Sequence, residues 1–141
     1  MATFTFANRG FQEILDLYFR GATAPTQFLV ALFNDTAAIT DDKADLLNEQ
    51  TGTGYAQQVI NRDSTAAGWP TLAANGSGYM QVEGAEVTFT ASAADWIATQ
   101  CIALIADLAT DRLIGYCNIS SVTVGNGESL AFTPKMYLKQ V

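Results

Sequence analysis

Between residues 86 and 132 the chain carries three dense apolar segments, 87–91, 101–106 and 113–119, followed by an alternating run over 122–132. Polar or glycine-bearing breaks separate them at 92–95, 107–111 and Gly125-Asn126-Gly127. Short apolar runs at this spacing build strands around one core. The last break is a signal for a tight hairpin, because glycine and asparagine tolerate positive φ. Within this stretch there is no histidine or lysine, and Arg112 is the sole cation. It therefore reads as scaffold, with any function residing in what its outer surface touches.

At 141 residues the chain fits one domain spanning 1–141, long enough to form a core without disulfide or metal staples. Charged residues make up only 15%, against roughly 25% in an average soluble protein, while hydrophobic residues reach 49%. A surface so poor in charge points to concealment in an assembly. The net charge of -7, with seven scattered Lys and Arg, excludes a phosphate-backbone binder, which needs a basic stripe. No window reaches the roughly 18 apolar residues of a membrane span, and no basic segment precedes a long apolar run at the N-terminus. The expectation is a product released in the cytosol, where the sequons at Asn75 and Asn118 carry little meaning. Cys101 and Cys117 flank the 107–111 break almost symmetrically, so a hairpin centred on Ala109 would set them opposite each other. Either a disulfide or two reduced, buried thiols fits, and a cytosolic product favours the thiols.

Along the chain, Asn8 is the expected cap of a helix over about 8–20. Phe11, Ile14, Leu15, Tyr18 and Phe19 recur there at helical spacing, and Gly21 supplies the stop. That stripe serves either to cover an open face of the sheet or as a docking helix. The run over Gln27–Phe33 is apolar on both sides and too short for an independent helix, which favours a central buried strand. Residues 34–50 are acidic, with a helical turn expected over 43–47. The Asp and Glu oxygens there invite calcium, but the spacing and glycine of an EF-hand loop are missing, so no metal is expected. Thr51-Gly-Thr-Gly54 reads as a turn before a strand over 55–61, since no Gly-Lys-Ser/Thr follows to cradle phosphate. Residues 62–78 read as loop and 79–82 as a short strand. Trp69 is either a partner contact or a pin holding its loop to the core. Over 95–109 periodicity supports a helix and a strand equally.

Gly52-Thr-Gly-Tyr-Ala-Gln-Gln58, a Gly/Asn-rich loop, Glu86-Val-Thr-Phe-Thr-Ala91, Asp95-Trp96, an apolar run ending in Asp107, Leu113-Ile-Gly115 and the 122–132 run follow in order. Together they resemble small tailed-bacteriophage virion proteins of the tail fibre, head fibre and capsid decoration kind. The likeness extends to the N-terminal helix and the Phe28-Leu-Val-Ala-Leu-Phe33 strand, and departs from the family at Gln57 and Gln58, where Arg is frequent, and at Cys101-Ile-Ala-Leu-Ile-Ala106, where the family's strand is often more polar. It implies a strand over 101–106. It further implies a mainly β fold, a β-sandwich of jelly-roll or Ig-like type with one short N-terminal α-helix, in which Trp96 packs at the sandwich end. The implied role is a bacteriophage structural protein, a capsid decoration (cement) or head fibre protein on the capsid exterior. It would be made in the host bacterial cytoplasm, bind the major capsid protein or other virion proteins and assemble as a homotrimer that hides strand edges. Candidate contacts are Phe4, Phe6, Trp69, Met136, Tyr137 and Leu138. The two terminal segments among these are either interface strands or ordinary edge strands.

Catalysis fits poorly. Without histidine, the usual general base and transition-metal ligand are missing, and Ser-His-Asp or Cys-His arrangements cannot be assembled. Glu83 with Glu86, or Asp42 with Asp45, could serve glycoside hydrolysis only if they faced each other across a cleft. No cofactor is expected. The rival role is a tail or neck fibre, a receptor-binding module in which Trp69, Tyr79 or Tyr116 stacks on sugars.

Overall fold

The computed structural model describes residues 2–74 and 76–139; Asn75, of the first sequon, lies outside the described residues. Elements follow in the order β1 (Ala2–Phe6), α1 (Asn8–Phe19), β2 (Gln27–Phe33), β3 (Gln58–Asn61), β4 (Thr71–Ala74), β5 (Tyr79–Glu83), β6 (Val87–Thr90), β7 (Thr99–Ala106), β8 (Arg112–Val122), β9 (Ser129–Phe132) and β10 (Pro134–Lys139). The fold is mainly β with one N-terminal helix. Eight strands form one sheet, ordered β3-β2-β7-β8-β1-β10-β5-β4, while β6 and β9 pair as a separate ribbon. β1 and β10 run parallel, and the other pairs are antiparallel.

The 95–109 ambiguity resolves to a strand for a packing reason. β7 sits between β2 and β8 with both faces covered, so every residue from Cys101 to Ala106 is buried and no polar alternation survives. On one face Val30, Leu32, Ile102 and Leu104 share a core with Val87, Phe89 and Phe132 of the ribbon. The two-stranded ribbon thus covers part of one face of the large sheet. Each fully buried large side chain here contributes roughly 1.5–3 kcal/mol. On the other face Ala31, Ala103 and Cys101 are small enough for the 34–50 segment to lie close, where it delivers Ala37 and Leu46. Ala31 and Ala103 are thus spacers for a second covering layer.

The large sheet curls until its two halves meet. The segment between β3 and β4 joins them: the Trp69 N–H donates to the Asp63 carbonyl just past β3, and the Ala85 N–H, just past β5, donates to the Gly68 carbonyl, each at 2.7 Å, although five strands lie between β3 and β5 in the sheet. Trp69 seats this junction, its ring edge-on to Phe28 with centroids 5.8 Å apart. Trp96 is buried in the core, crosses Tyr55 at 5.8 Å and donates from Nε1 to the Thr53 carbonyl. Gly52 makes room for it, since a Cβ there would fall 2.1 Å from the indole. The glycine-bearing turn at 51–54 therefore holds a tryptophan.

Four expectations are corrected. Gly125-Asn126-Gly127 does form a tight turn, with the Glu128 N–H bonded to the Gly125 carbonyl and Gly127 at φ 80°, but it closes no hairpin. β8 pairs with β7 and β1, and β9 pairs with β6, so the turn passes the chain between sheets. The terminal strands are interior, because β1 lies between β8 and β10 and β10 between β1 and β5; β3 and β4 are the edges of the large sheet. Residues 62–78 contain a strand, β4, antiparallel to β5 and too exposed to show an apolar pattern. Finally, a register shift in the β7–β8 pair sets Cys117 opposite Ile102 and Cys101 opposite Asn118. The two thiols then belong to opposite faces of the sheet, and both cysteines are free.

Candidate interaction surface

Helix α1 begins directly after β1, whose last pairing is extended by the Ala7 N–H bonding to the Ile114 carbonyl. Ala7, in extended conformation, is the N-cap, with no side-chain bond; Asn8 is already helical and its N–H is taken by the Ile39 carbonyl. At the other end the Asp16 carbonyl accepts from both Arg20 and Ala22, while Gly21 turns the chain at φ 71°.

The seating of this helix reverses the expected orientation. Gly10 lies against the backbone of Ile114, so close that a Cβ would stand 2.0 Å from its oxygen. Glu13 is buried and bridges Arg9 at 3.1 Å and Arg112 at 3.4 Å, tying the helix to β8. These two contacts fix the roll of the helix, so Gly10, Glu13, Ile14 and Leu17 face the sheet. Phe11, Leu15, Tyr18 and Phe19 instead face outward at 45%, 56%, 80% and 81% exposure. Of the expected stripe, Ile14 alone points inward. Hydrophobicity located the stripe, but a glycine and an ionic anchor decided which way it turned.

Between α1 and the sheet lies a cavity of about 260 Å³, walled by Gly10, Ile14 and Leu17 on one side and Phe28, Leu104 and Ile114 on the other. Its accessible lining is almost wholly apolar; of the charged residues on its wall, Glu13 is bound by Arg9 and Arg112, and Arg62 donates to the Pro25 carbonyl at 2.6 Å.

Three of the four carboxylates considered for catalysis, Asp42, Asp45 and Glu83, have structural duties. Asp42 Oδ1 accepts from the Lys43 and Leu113 N–H groups at 2.7 and 2.9 Å, and Asp45 Oδ2 accepts from the Asp42 N–H. The two cap one another across a single 3-10 turn, Lys43–Asp45, instead of facing a cleft. Glu83 pairs with Lys135 at 3.2 Å, and Glu86 is exposed. Glu49 accepts from the Tyr55 hydroxyl and from Gln57; burial first, and then this carboxylate, pushes the Tyr55 hydroxyl far above its ordinary pKa. Among the described residues, no group of three or more metal-type side chains converges, and no helix is long and apolar enough to cross a membrane. Of the aromatics considered for sugar stacking, Trp69 packs on Phe28, Tyr79 meets Tyr137 edge-on at 6.0 Å, and Tyr116 packs against the second core cluster.

The candidate contact residues separate by burial. Phe4 and Met136 are 3% and 4% exposed and belong to the chain's own core. Their inward side is set by the parallel register that places Phe4 opposite Met136. Trp69 and Tyr137 are half-buried in the ring contacts just described, and Leu138 is exposed. Phe6, also half-buried, stacks on Phe11 with centroids 4.9 Å apart and so joins α1 to the sheet. Sequence reasoning missed Leu72 and Met80, both exposed on β4 and β5. Their signal, apolar residues on an edge hairpin, was hidden by the surrounding glycine, serine and asparagine.

No curated protein and no solved structure matches the chain significantly. A family model described as podophage GP4 fiber I protein gp80 matches residues 5–136, from within β1 to within β10. With nearly every element of the fold inside that match, the chain belongs to the family of the podophage GP4 fiber I protein gp80, a family of phage virion structural proteins.

Proposed function

We propose that this protein is a non-enzymatic component of the virion exterior, a head fibre or capsid decoration protein that docks on the major capsid protein as a homotrimer. The observation that carries this reading is the exposed apolar face of α1 in a fibre-family chain whose Glu13 and Asp42 carboxylates are bound within its own fold. A molecule arranged in this way acts by shape and by repeated contact, with affinity accumulated over many copies. The word fiber in the family's description supports a second placement, a tail or neck fibre that meets the host receptor.

Copy number separates the two placements. A protein decorating the capsid is present in hundreds of copies per particle, a tail or neck fibre in about a dozen or fewer, as the symmetries of those structures require. Quantitative mass spectrometry of purified particles reads this directly. Particles lacking the protein that burst more readily on heating support the capsid placement; robust particles that fail to adsorb support the tail. Particles unchanged in both respects, or a hydrolytic activity of the purified chain, would overturn the structural role.

A further inference from the structure

The exposed helix face does not end at the helix. Phe11 stacks on Phe6 of β1, and since Phe4 lies opposite Met136 in the parallel β1–β10 pair, Phe6 and Leu138, each two residues further on, lie on the same side of the sheet. Leu138 is paired with Met80, and Met80 with Ala74. Leu72, two residues back along β4, points to the same side. One apolar surface therefore runs from the helix across the end of the sheet to its edge strand. Leu72, Met80 and Leu138 are 72%, 47% and 48% exposed. Taking about 200 Å² for a large side chain, this surface presents roughly 800 Å² of apolar area. A monomer rarely leaves more than a few hundred Å² open, and a stable pairing of two proteins hides about 800 Å² on each.

Charge argues for the identity of the occupant. Copies of a chain with net charge -7 repel one another, and association is least opposed where acid is neutralised. On α1 the two acids are both paired, Asp16 with Arg20 at 3.4 Å and Glu13 with Arg9 and Arg112. We infer that this surface, from the outer face of α1 to Leu72, is where a second copy of the chain binds. The inference deepens the homotrimer reading and is independent of where the assembly sits in the virion.

Sedimentation velocity of the full chain from about 10 nM to about 100 μM tests it, a range that reaches from weak, micromolar association into the tighter affinities that interfaces of this area attain. Wild type is expected to associate. The double substitution Tyr18→Lys, Phe19→Lys removes two nearly fully exposed rings without touching the core, and is expected to weaken association by about thirtyfold or more, as loss of central interface residues does. Because it also makes the net charge less negative, general repulsion between copies falls, so the weakening reports lost apolar contact. Leu72→Lys, at the far end of the surface, is expected to act in the same direction and stands in should the helix variant fold poorly. Leu47→Lys, 80% exposed on the 34–50 segment, is the control and is expected to change nothing. A wild-type chain that stays monomeric across the range overturns the inference and assigns the surface to another virion protein. Unchanged association in both surface variants, or equal weakening by the control, also overturns it. Incorporation into particles, measured separately, bears on the virion role and is unaffected by either result.

Discussion

Substituting Gly10 by alanine sets two effects of opposite sign against each other. In a helix interior, alanine is favoured over glycine by about 0.8–1 kcal/mol, so a loosely docked α1 would be stabilised. In this fold the new methyl would stand 2.0 Å from the Ile114 oxygen and 2.8 Å from its carbonyl carbon. Both are backbone atoms of β8, which cannot swing aside as a side chain would. The helix must then lift by about 1 Å, stretching the Ala7 to Ile114 bond and the Glu13 to Arg112 pair, a distortion of the overpacking kind that costs about 1–3 kcal/mol. A clash with two backbone atoms falls in the upper half of that range, about 2–3 kcal/mol, so subtracting the helical gain leaves a net loss of about 1–2 kcal/mol, read as a lower urea midpoint with an unchanged slope. A midpoint that stays put or rises would refute the reasoning, because it would mean that α1 is not seated on β8 and that the orientation of its outer face is not fixed.

Three further substitutions test other parts of the account. Gln50 is buried and binds the Ile97 carbonyl at 2.7 Å through Nε2 while its Oε1 accepts from Thr51 and Gly52, so Gln50→Ala is expected to cost about 2–4 kcal/mol by urea denaturation; a loss below about 1 kcal/mol would contradict this. Thr99 Oγ1 is buried and finds no hydrogen-bond partner among the described residues, so Thr99→Val is expected to raise stability by about 1 kcal/mol, and a clear loss would reveal a missing partner. Burial pushes the Cys101 thiol from 9.0 up to about 12. The folded state then keeps a proton that the unfolded chain releases, so this stability is fully present below about pH 9 and is lost as pH rises toward 12. Between about pH 9 and 10, Cys101→Ala is expected to flatten the fall in unfolding free energy by up to about 1.4 kcal/mol per pH unit; an unchanged slope would show the thiol ionising freely in the native protein.

Much of the framework was legible because it rests on local pattern. The alternation of Val87 and Phe89 with Thr88 and Thr90, the two-faced apolar run of β2, and the helix bounded by Gly21 all form where the residues put them. What could not be read was non-local. β1 slots between β8 and β10 by pairing with residues more than a hundred positions away, and nothing in Thr3 to Phe6 announces two neighbours instead of one. Gln50 looks like any loop glutamine until the backbone groups around it are seen. The outward turn of Tyr18 and Phe19 was hidden because a hydrophobic stripe reports that a face wants covering and says nothing about whether the same chain covers it. The cue that was available was Gly10 with Glu13, a small residue and an acid on the opposite side of the helix, next to an arginine-bearing strand.

The most direct test of the central claim is a cryo-EM reconstruction, at side-chain resolution, of the intact phage particle whose genome encodes this chain. The account predicts density for the curled eight-stranded sheet on the particle exterior, with the rings of Tyr18 and Phe19 covered by a neighbouring copy. Particles complete and infectious without this chain, or a chain seated in them with that helix face open to solvent, would contradict it.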